Sequence, residues 1–307
     1  MIDSWQITIP ELTGDEPRRA YIYLPDSWKM DPDLRYPVLY MIDGHNVFFD
    51  EDATYGKSWG MGEYLDATRT QLIVAAVECN HHPDNGRLSE YSPWSFSNSG
   101  TGRVTGRGRT TMEWLVHTFK PQIDRDFPTL PGRNDTFIAG SSMGGLMSLY
   151  AVLEYNRYFS RAAALSPSLW VVPGKVDTLI RTSRVSPGTV VYMDYGSREL
   201  ANHAQTFKLL GRTAAGLLDR RILLNFRMVP GGDHSEASCD LQIPFFMNTQ
   251  FYGRDQIQEA GRRTSNADTV FQELQPGPGA GYGVQGLWPR RPAGAVHPLP
   301  GRPVFRL

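Results

Sequence analysis

The stretch DTFIAGSSMGGLMSLYAVLE, residues 135–154, decides the fold of this chain. Residues 135–139 form a short apolar run that predicts a buried strand, and residues 146–154 show the pattern of a helix. Between them stands Gly-x-Ser-x-Gly, centred on Ser142. A serine on so sharp a turn brings the residues two positions away close to other backbone, and only glycine lacks the Cβ that would clash there. The stretch therefore predicts a strand, a strained turn and a helix.

The spacing of the glycines selects one of two adjacent serines as the candidate nucleophile. A motif centred on Ser141 would need glycine at positions 139 and 143, where the chain has Ala139 and Met143. The motif therefore centres on Ser142. A strand, a sharp turn and a helix around such a serine are typical of the nucleophile elbow of α/β-hydrolases.

Strands alternate with helices along the chain up to about residue 252. Period-two alternation predicts antiparallel edge strands at residues 5–9 and 19–24, and continuous apolar runs predict strands covered on both faces at residues 37–42 and 72–77. Further strands are predicted at residues 161–166, 189–193 and 222–228, and helices at residues 59–68, 111–126 with a kink at Pro121, and 200–217. Such alternation indicates a mainly parallel sheet with helices on both faces, and with the elbow it predicts the α/β-hydrolase fold.

Two segments depart from this alternation. Residues 96–110 are glycine-rich and basic, which predicts a mobile loop of the kind that covers active sites. Residues 253–307 are rich in proline, glycine and arginine, which predicts a disordered tail. The expected organisation is one hydrolase domain over residues 1–252, followed by this tail.

Composition limits the partners and the compartment. The chain has 307 residues, a formal net charge of −1 and 21% charged residues, so neither nucleic acid nor an anionic membrane is expected as a partner. The start of the chain lacks a basic, apolar leader, and no apolar run is long enough to span a bilayer. Cys79 and Cys239 form no disulfide framework. A cytoplasmic protein is expected, and the sequence does not indicate its oligomeric state.

A serine nucleophile needs a base, and in this fold the acid and then the histidine follow the serine in the chain. His234 falls in a loop after the last predicted strand, where open α/β sheets bind ligands, and is the candidate base. His203 lies within a predicted amphipathic helix, where a structural role is favoured, and His297 lies in the tail.

Two carboxylates compete for the role of the acid. Glu199 follows a Gly-Ser turn and opens the next predicted helix, so it can reach over the sheet edge, and it is the favoured candidate. Asp194 belongs to the end of the preceding strand and stays open as the alternative. Asp233, beside His234, is expected to be a solvated loop acid. The acid would hold the imidazole in its productive tautomer.

Two backbone N–H groups should form the oxyanion hole. Met143 follows the nucleophile at the start of a helix, and His45 lies in the loop after the third predicted strand, where Gly44 lets the backbone turn. Asp43, His45 and Asp50 show no metal-ligand spacing, so neither a metal nor an organic cofactor is predicted.

Seven segments resemble the bacterial esterase family of the α/β-hydrolase superfamily, which includes feruloyl and acetyl-xylan esterases, enterochelin-type siderophore esterases and S-formylglutathione hydrolase. They lie at residues 40–49, 53–59, 87–94, 119–124, 140–145, 192–199 and 231–236. The resemblance implies Ser142 as nucleophile, His234 as base and a carboxylate near Glu199. Many relatives carry aspartate at that position, and their Asp-Gly-Gln-Asn loop reads Asp-Gly-His-Asn here, with His45 in place of glutamine.

The sequence thus predicts a serine carboxylic-ester hydrolase that forms an acyl-enzyme on a small-molecule or carbohydrate-linked ester. Trp59, Tyr91 and Trp94 are candidate pocket walls, with core packing as the alternative. The same fold supports acyl transfer to an alcohol or sugar, and a non-catalytic binding protein on this scaffold is a further alternative.

Overall fold

An eight-stranded sheet forms the centre of the computed structural model, which describes residues 1–199 and 203–253, without the side chain of His203. The strands, with those of a small separate hairpin, are β1 (Ile2–Ile9), β2 (Gly14–Tyr23), β3 (Val38–Met41), β4 (Ile73–Val77), β5 (Phe96–Asn98), β6 (Gly102–Val104), β7 (Thr136–Ser141), β8 (Arg161–Leu165), β9 (Val190–Gly196) and β10 (Leu223–Val229). The order in the main sheet is β1-β2-β4-β3-β7-β8-β9-β10.

The pairing of the strands matches the prediction of a mainly parallel sheet. β1 pairs with β2, and β2 with β4, in antiparallel fashion, whereas β4, β3, β7, β8, β9 and β10 are all parallel to their neighbours. The antiparallel N-terminal strands predicted from period-two alternation are present, with β1 at the edge of the sheet and β2 between β1 and β4. Both begin before the predicted residues, and β2 ends at Tyr23. The parallel strands bring their carboxyl ends to one edge, which is where such sheets bind ligands.

Helices cover both faces of this sheet. They are α1 (Pro10–Thr13), α2 (Met61–Thr68), α3 (Gly86–Glu90), α4 (Gly108–Trp114), α5 (Lys120–Asp126), α6 (Met143–Glu154), α7 (Pro173–Thr182), α8 (His203–Asp219), α9 (Glu236–Asp240) and α10 (Ile243–Phe251). One apolar cluster joins one face of the sheet to α4–α8, and a second joins the other face to α2 and α10. Successive residues of a strand enter opposite clusters, as Leu39 and Tyr40 of β3 do.

Residues 96–110, predicted to form a mobile loop, instead form a short hairpin and the start of a helix. β5 and β6 pair in an antiparallel hairpin, with Phe96 opposite Val104, and α4 begins at Gly108. Phe96 and Val104 are both buried, and their packing explains why this glycine-rich segment adopts a regular structure.

The helix predicted at residues 111–126 begins three residues earlier and contains a π-helical turn. α4 passes into a π-helical segment, Leu115–Phe119, and then into α5. Pro121 is the second residue of α5 and has no N–H to donate, so the hydrogen-bond pattern changes just before it.

Part of the sequence-based prediction falls outside the described residues. The predicted tail is described only at Gly253, so its disorder and the domain boundary stay predictions. His297 also lies outside the described residues. His203 is the first described residue of α8. Within the described ranges, no helix combines the length and apolar character that a membrane crossing requires.

Candidate active site

Ser142 occupies the turn between β7 and α6. Its φ of 58° and ψ of −119° lie in a region that non-glycine residues rarely adopt, at a cost of about 1–3 kcal/mol. Its N–H donates to the carbonyl of Leu165 at 2.9 Å, and its Oγ lies 3.3 Å from Oγ of Ser168. The last residue of β8 therefore holds the backbone of this serine, and the loop after β8 contacts its hydroxyl.

The glycines around Ser142 are needed for close packing. A Cβ on Gly140 would lie 2.7 Å from the carbonyl carbon of Gly144, and one on Gly145 would lie 2.8 Å from the carbonyl oxygen of Leu165. A Cβ on Gly144 would lie 3.0 Å from the side chain of Ile42. Side chains here would push α6 away from β7 and from the neighbouring loops, so the turn could not keep its shape.

His234 and Glu199 form a hydrogen-bonded pair. Nδ1 of His234 lies 2.9 Å from Oε2 of Glu199. The carboxylate is only 2% exposed, whereas the imidazole is 45% exposed. Their loops follow the parallel neighbours β9 and β10 and run close together, since a Cβ on Gly196 would lie 2.5 Å from the carbonyl oxygen of Gly232. The buried acid thus fixes one ring nitrogen and leaves the other available.

Glu199 has further partners that fix its position. Its Oε1 accepts a hydrogen bond from the N–H of Gly196 at 2.8 Å and another from the hydroxyl of Ser166. Its own carbonyl accepts from the Tyr195 hydroxyl at 3.1 Å. Both carboxylate oxygens are therefore engaged, and only one of them faces the imidazole.

Asp194, the alternative acid, bonds to other groups. One oxygen accepts the N–H of Ser166 at 2.9 Å, and the other accepts the hydroxyl of Tyr192 at 2.8 Å. Burial raises the pKa of Asp194 to about 6. Among the described residues, His234 is hydrogen-bonded to Glu199 and not to Asp194.

Ser166, which links the two acids, was not among the predicted site residues. Its φ of 40° is again positive, its N–H bonds to Asp194 and its hydroxyl bonds to Glu199. The loop it begins, after β8, also carries Ser168, which contacts Ser142. A polar loop after a buried strand was the available signal, but the partners lie too far along the chain for local patterns to identify them.

Ser142 and His234 are not joined directly in this structure. Within the described ranges, the hydroxyl of Ser142 bonds to Ser168, and no hydrogen bond connects it to the imidazole. The end of β8 and the loop after it connect them indirectly, because Leu165 and Ser168 contact Ser142 and Ser166 contacts Glu199.

The two backbone groups expected to stabilise an oxyanion both begin helical turns. Met143 is the first residue of α6, and His45 is the second residue of a 3₁₀ turn, Gly44–Asn46. N–H groups in the first turn of a helix have no acceptor within that helix, so they can bind an external oxygen.

An ion pair fixes the loop that carries His45. Asp43 adopts the left-handed conformation, with φ of 61°. The guanidinium of Arg87 donates two hydrogen bonds of 2.7 Å to its carboxylate. Although burial alone would raise the pKa of Asp43, the guanidinium holds it below its usual value. Gly44 is needed for close approach, since a Cβ there would lie 2.7 Å from the backbone of Val77, whereas the positive φ falls on Asp43.

A further contact joins this loop to the segment that follows His234. The amide of Asn46 donates to Glu236 at 3.3 Å, and the other end of that amide accepts the N–H of Thr54 at 2.9 Å. Burial raises the pKa of Glu236. Asp233 accepts hydrogen bonds from two serine hydroxyls, which lower its pKa.

The three aromatic residues proposed as pocket walls differ in exposure. Trp59 is 2% exposed and packs edge-to-face on Phe246. Tyr91 is also 2% exposed, and its hydroxyl accepts the N–H of Asp43 at 3.3 Å. Trp94 is half-buried against Tyr150. Trp94 is therefore the most exposed of the three.

Comparison with known proteins gives matches over most of the chain. Residues 13–237 match the family described as "Putative esterase". The uncharacterized protein YbbA of Bacillus subtilis is 29% identical over 186 residues, which cover 59% of this chain and 69% of YbbA. The IroE-like serine hydrolase of Shewanella oneidensis superposes with a TM-score of 0.65 at 16% identity, over 84% of this chain and 85% of that one. A ferulic acid esterase superposes with a TM-score of 0.56 at 15% identity, over 82% and 97%. These likenesses confirm the predicted α/β-hydrolase fold.

Proposed function

Since the chain belongs to the Esterase family, we propose that this esterase hydrolyses carboxylic esters through an acyl-enzyme on Ser142. His234 acts as the general base and Glu199 as the acid that orients it. The backbone N–H groups of Met143 and His45 form the oxyanion hole. Asp194 serves to position Ser166 rather than to assist the imidazole.

In the acylation step, Oγ of Ser142 attacks the ester carbonyl carbon and its proton passes to Nε2 of His234. The carbonyl oxygen becomes negative and is stabilised by the two N–H groups. The intermediate then collapses, the bond to the leaving alcohol breaks, and His234 returns the proton to that alcohol. Before the attack, the hydroxyl of Ser142 must exchange its contact with Ser168 for a hydrogen bond to the imidazole.

In the deacylation step, water takes the place of the alcohol. His234 removes a proton from water, the hydroxide attacks the acyl carbonyl, and Ser142 leaves with the proton that the imidazole returns. Glu199 accepts the Nδ1–H of His234 throughout, so the imidazolium that forms in each step lies beside a negative charge. Glu199 keeps its own charge and takes no proton.

The hydrogen bond of 2.9 Å between His234 and Glu199 is the observation that carries this proposal. It supports the tautomer in which Nδ1 holds the proton and Nε2 is free to act as a base. The order of Ser142, Glu199 and His234 along the chain, each at the carboxyl end of a parallel strand, agrees with the order found in α/β-hydrolases.

The test compares Ser142→Ala with Ser141→Ala on a short-chain aryl ester. Ser142→Ala should lower kcat by about 10⁴-fold or more, because the nucleophile is gone while the fold remains. Ser141→Ala is the matched control in the same motif and should retain turnover and labelling by a fluorophosphonate at Ser142. Loss of labelling in the control alone would show that the wrong serine was chosen.

The substrate is proposed by class. A small-molecule or carbohydrate-linked ester fits the relatives, among them the ferulic acid esterase. A panel of aryl acetates, feruloyl esters, acetylated xylan and a cyclic catecholate triester would rank these classes by kcat/KM. Adding an alcohol acceptor to the best substrate tests hydrolysis directly, since a hydrolase releases the free acid and a transferase forms the new ester.

A further inference from the structure

Three side chains able to bind a metal ion meet beside the loop after β3. They are His45, in that loop, and Cys79 and His81, in the segment after β4. Because β3 and β4 are parallel neighbours, both segments leave the sheet at the same edge. Their backbones pass closely, which is why Gly44 must lack a Cβ beside Val77.

The distances among these side chains approach those of a metal site. One donor atom from each residue lies within 4.8 Å of the other two, and Cys79 Sγ lies 3.8 Å from His81 Nδ1. Tetrahedral Zn²⁺, with Zn–N near 2.1 Å and Zn–S near 2.3 Å, holds its donors about 3.5 Å apart. The largest separation thus exceeds this spacing by about 1 Å, and the exposed side chain of His81 is free to adjust when a metal binds.

His45 is prepared to act as a ligand. Its Nε2 lies 3.0 Å from the hydroxyl oxygen of Thr54, and its Nδ1 is buried without a hydrogen-bond partner among the described residues. An Nε2–H that donates to Thr54 leaves the lone pair on Nδ1, and such outer hydrogen bonds orient the histidines of metal sites.

Cys79 supplies the third donor once its proton is lost. Binding of Zn²⁺ forms the Zn–S bond and releases one proton to solvent, with no change in oxidation state. Two neutral imidazoles and one thiolate form a donor set that suits zinc.

We propose that His45, Cys79 and His81 form a Zn²⁺ site with water in the fourth position. None of the three side chains belongs to the proposed serine chemistry, so the site does not depend on that mechanism. It adjoins the mechanism through the backbone of His45, whose N–H is a proposed oxyanion donor.

Cobalt binding tests the site directly, because Co²⁺ bound by a thiolate gives a charge-transfer absorption band. Tag-free protein is titrated with Co²⁺, and Zn²⁺ is then added as competitor. One equivalent of Co²⁺ should produce the band, Zn²⁺ should displace it, and Cys79→Ser should abolish it. Cys239→Ser is the matched control, since Cys239 is also buried and free, and it should keep the band.

An exposed pair of histidines provides a second test that does not disturb the core. His81→Ala should raise the Kd for Zn²⁺ at least tenfold, and His82→Ala, at the neighbouring exposed position, should leave it unchanged. Thermal unfolding without metal checks that both variants fold. The proposal is overturned if wild-type protein gives no band, if Cys79→Ser retains it, or if the two histidine variants bind Zn²⁺ equally.

Discussion

Replacing Glu199 with glutamine tests the proposed role of the acid, because the change keeps the shape of the side chain and removes its charge. In the structure, one carboxylate oxygen accepts hydrogen bonds from Gly196 N–H and the Ser166 hydroxyl, and the other faces Nδ1 of His234 at 2.9 Å. Glutamine has a single oxygen. The N–H of Gly196 requires an acceptor, so the amide oxygen takes that side and the NH₂ group turns toward the imidazole.

That orientation places a donor opposite Nδ1, which must then accept. The ring proton moves to Nε2, the nitrogen that should remove the proton from Ser142, and the base is blocked. A wrong tautomer of this kind costs about 10⁴-fold in kcat, or about 5.4 kcal/mol in activation free energy. KM should change little, because Glu199 is buried beneath the imidazole and does not contact the ester.

The assay is steady-state hydrolysis of a short-chain aryl ester, with urea unfolding to show that Glu199→Gln folds. Asp194→Asn is the matched control, since Asp194 bonds to Ser166 and Tyr192 and not to the imidazole. It should lower kcat less than tenfold. Retention of more than a tenth of wild-type kcat by Glu199→Gln, or a larger loss in Asp194→Asn, would refute the assignment of the acid.

Three further measurements test the framework of the site. The pKa of Asp194 is raised from 3.8 to about 6, so its stabilising contribution is complete below pH 4 and lost as the pH rises through 6. Relative to Asp194→Asn, the wild-type free energy of unfolding should therefore fall by about 3 kcal/mol between pH 4 and pH 7, and equal pH profiles in urea unfolding would contradict this. Arg87→Ala leaves the buried carboxylate of Asp43 without its partner, so the free energy of unfolding should fall by about 3 kcal/mol at pH 7. The loss should be smaller at pH 4, where that carboxyl can be protonated, and an equal loss at both pH values would argue against the ion pair. Gly140→Ala should reduce kcat/KM at least tenfold, because its Cβ would lie 2.7 Å from backbone in α6, whereas Gly132→Ala, where the space is open, is the control and should not.

The sheet could be predicted from the sequence because its signals are local. Continuous apolar runs gave β3 and β4, and the glycines around Ser142 gave the turn between β7 and α6. The hairpin of β5 and β6 could not be predicted, because its strands have three residues each and are too short for a period to emerge. α7 was not predicted, although the sequence carries a signal for it. Pro173 stands at its start, and Val176, Leu179 and Ile180 lie at helical spacing.

The candidate site was predictable where one loop contained the whole signal. The loops around Ser142, Glu199 and His234 were located from the positions of the strand ends. Contacts between residues far apart in the chain were not predictable. One example is the ion pair of Arg87 with Asp43, which lies 44 positions earlier. Likewise, His45 and Cys79 are brought together only by the pairing of β3 with β4.

The hydrogen bonds of Ser166 restrict how this site can evolve. Its backbone N–H donates to Asp194 and its hydroxyl donates to Glu199, so the two acids are not interchangeable. A lineage that transferred the acid to Asp194 would have to free that side chain from Ser166 and Tyr192 and also redirect His234. Under the proposed mechanism, redirecting His234 alone would leave the imidazole without a hydrogen-bonded acid, so Asp194 would have to be freed before or together with that change.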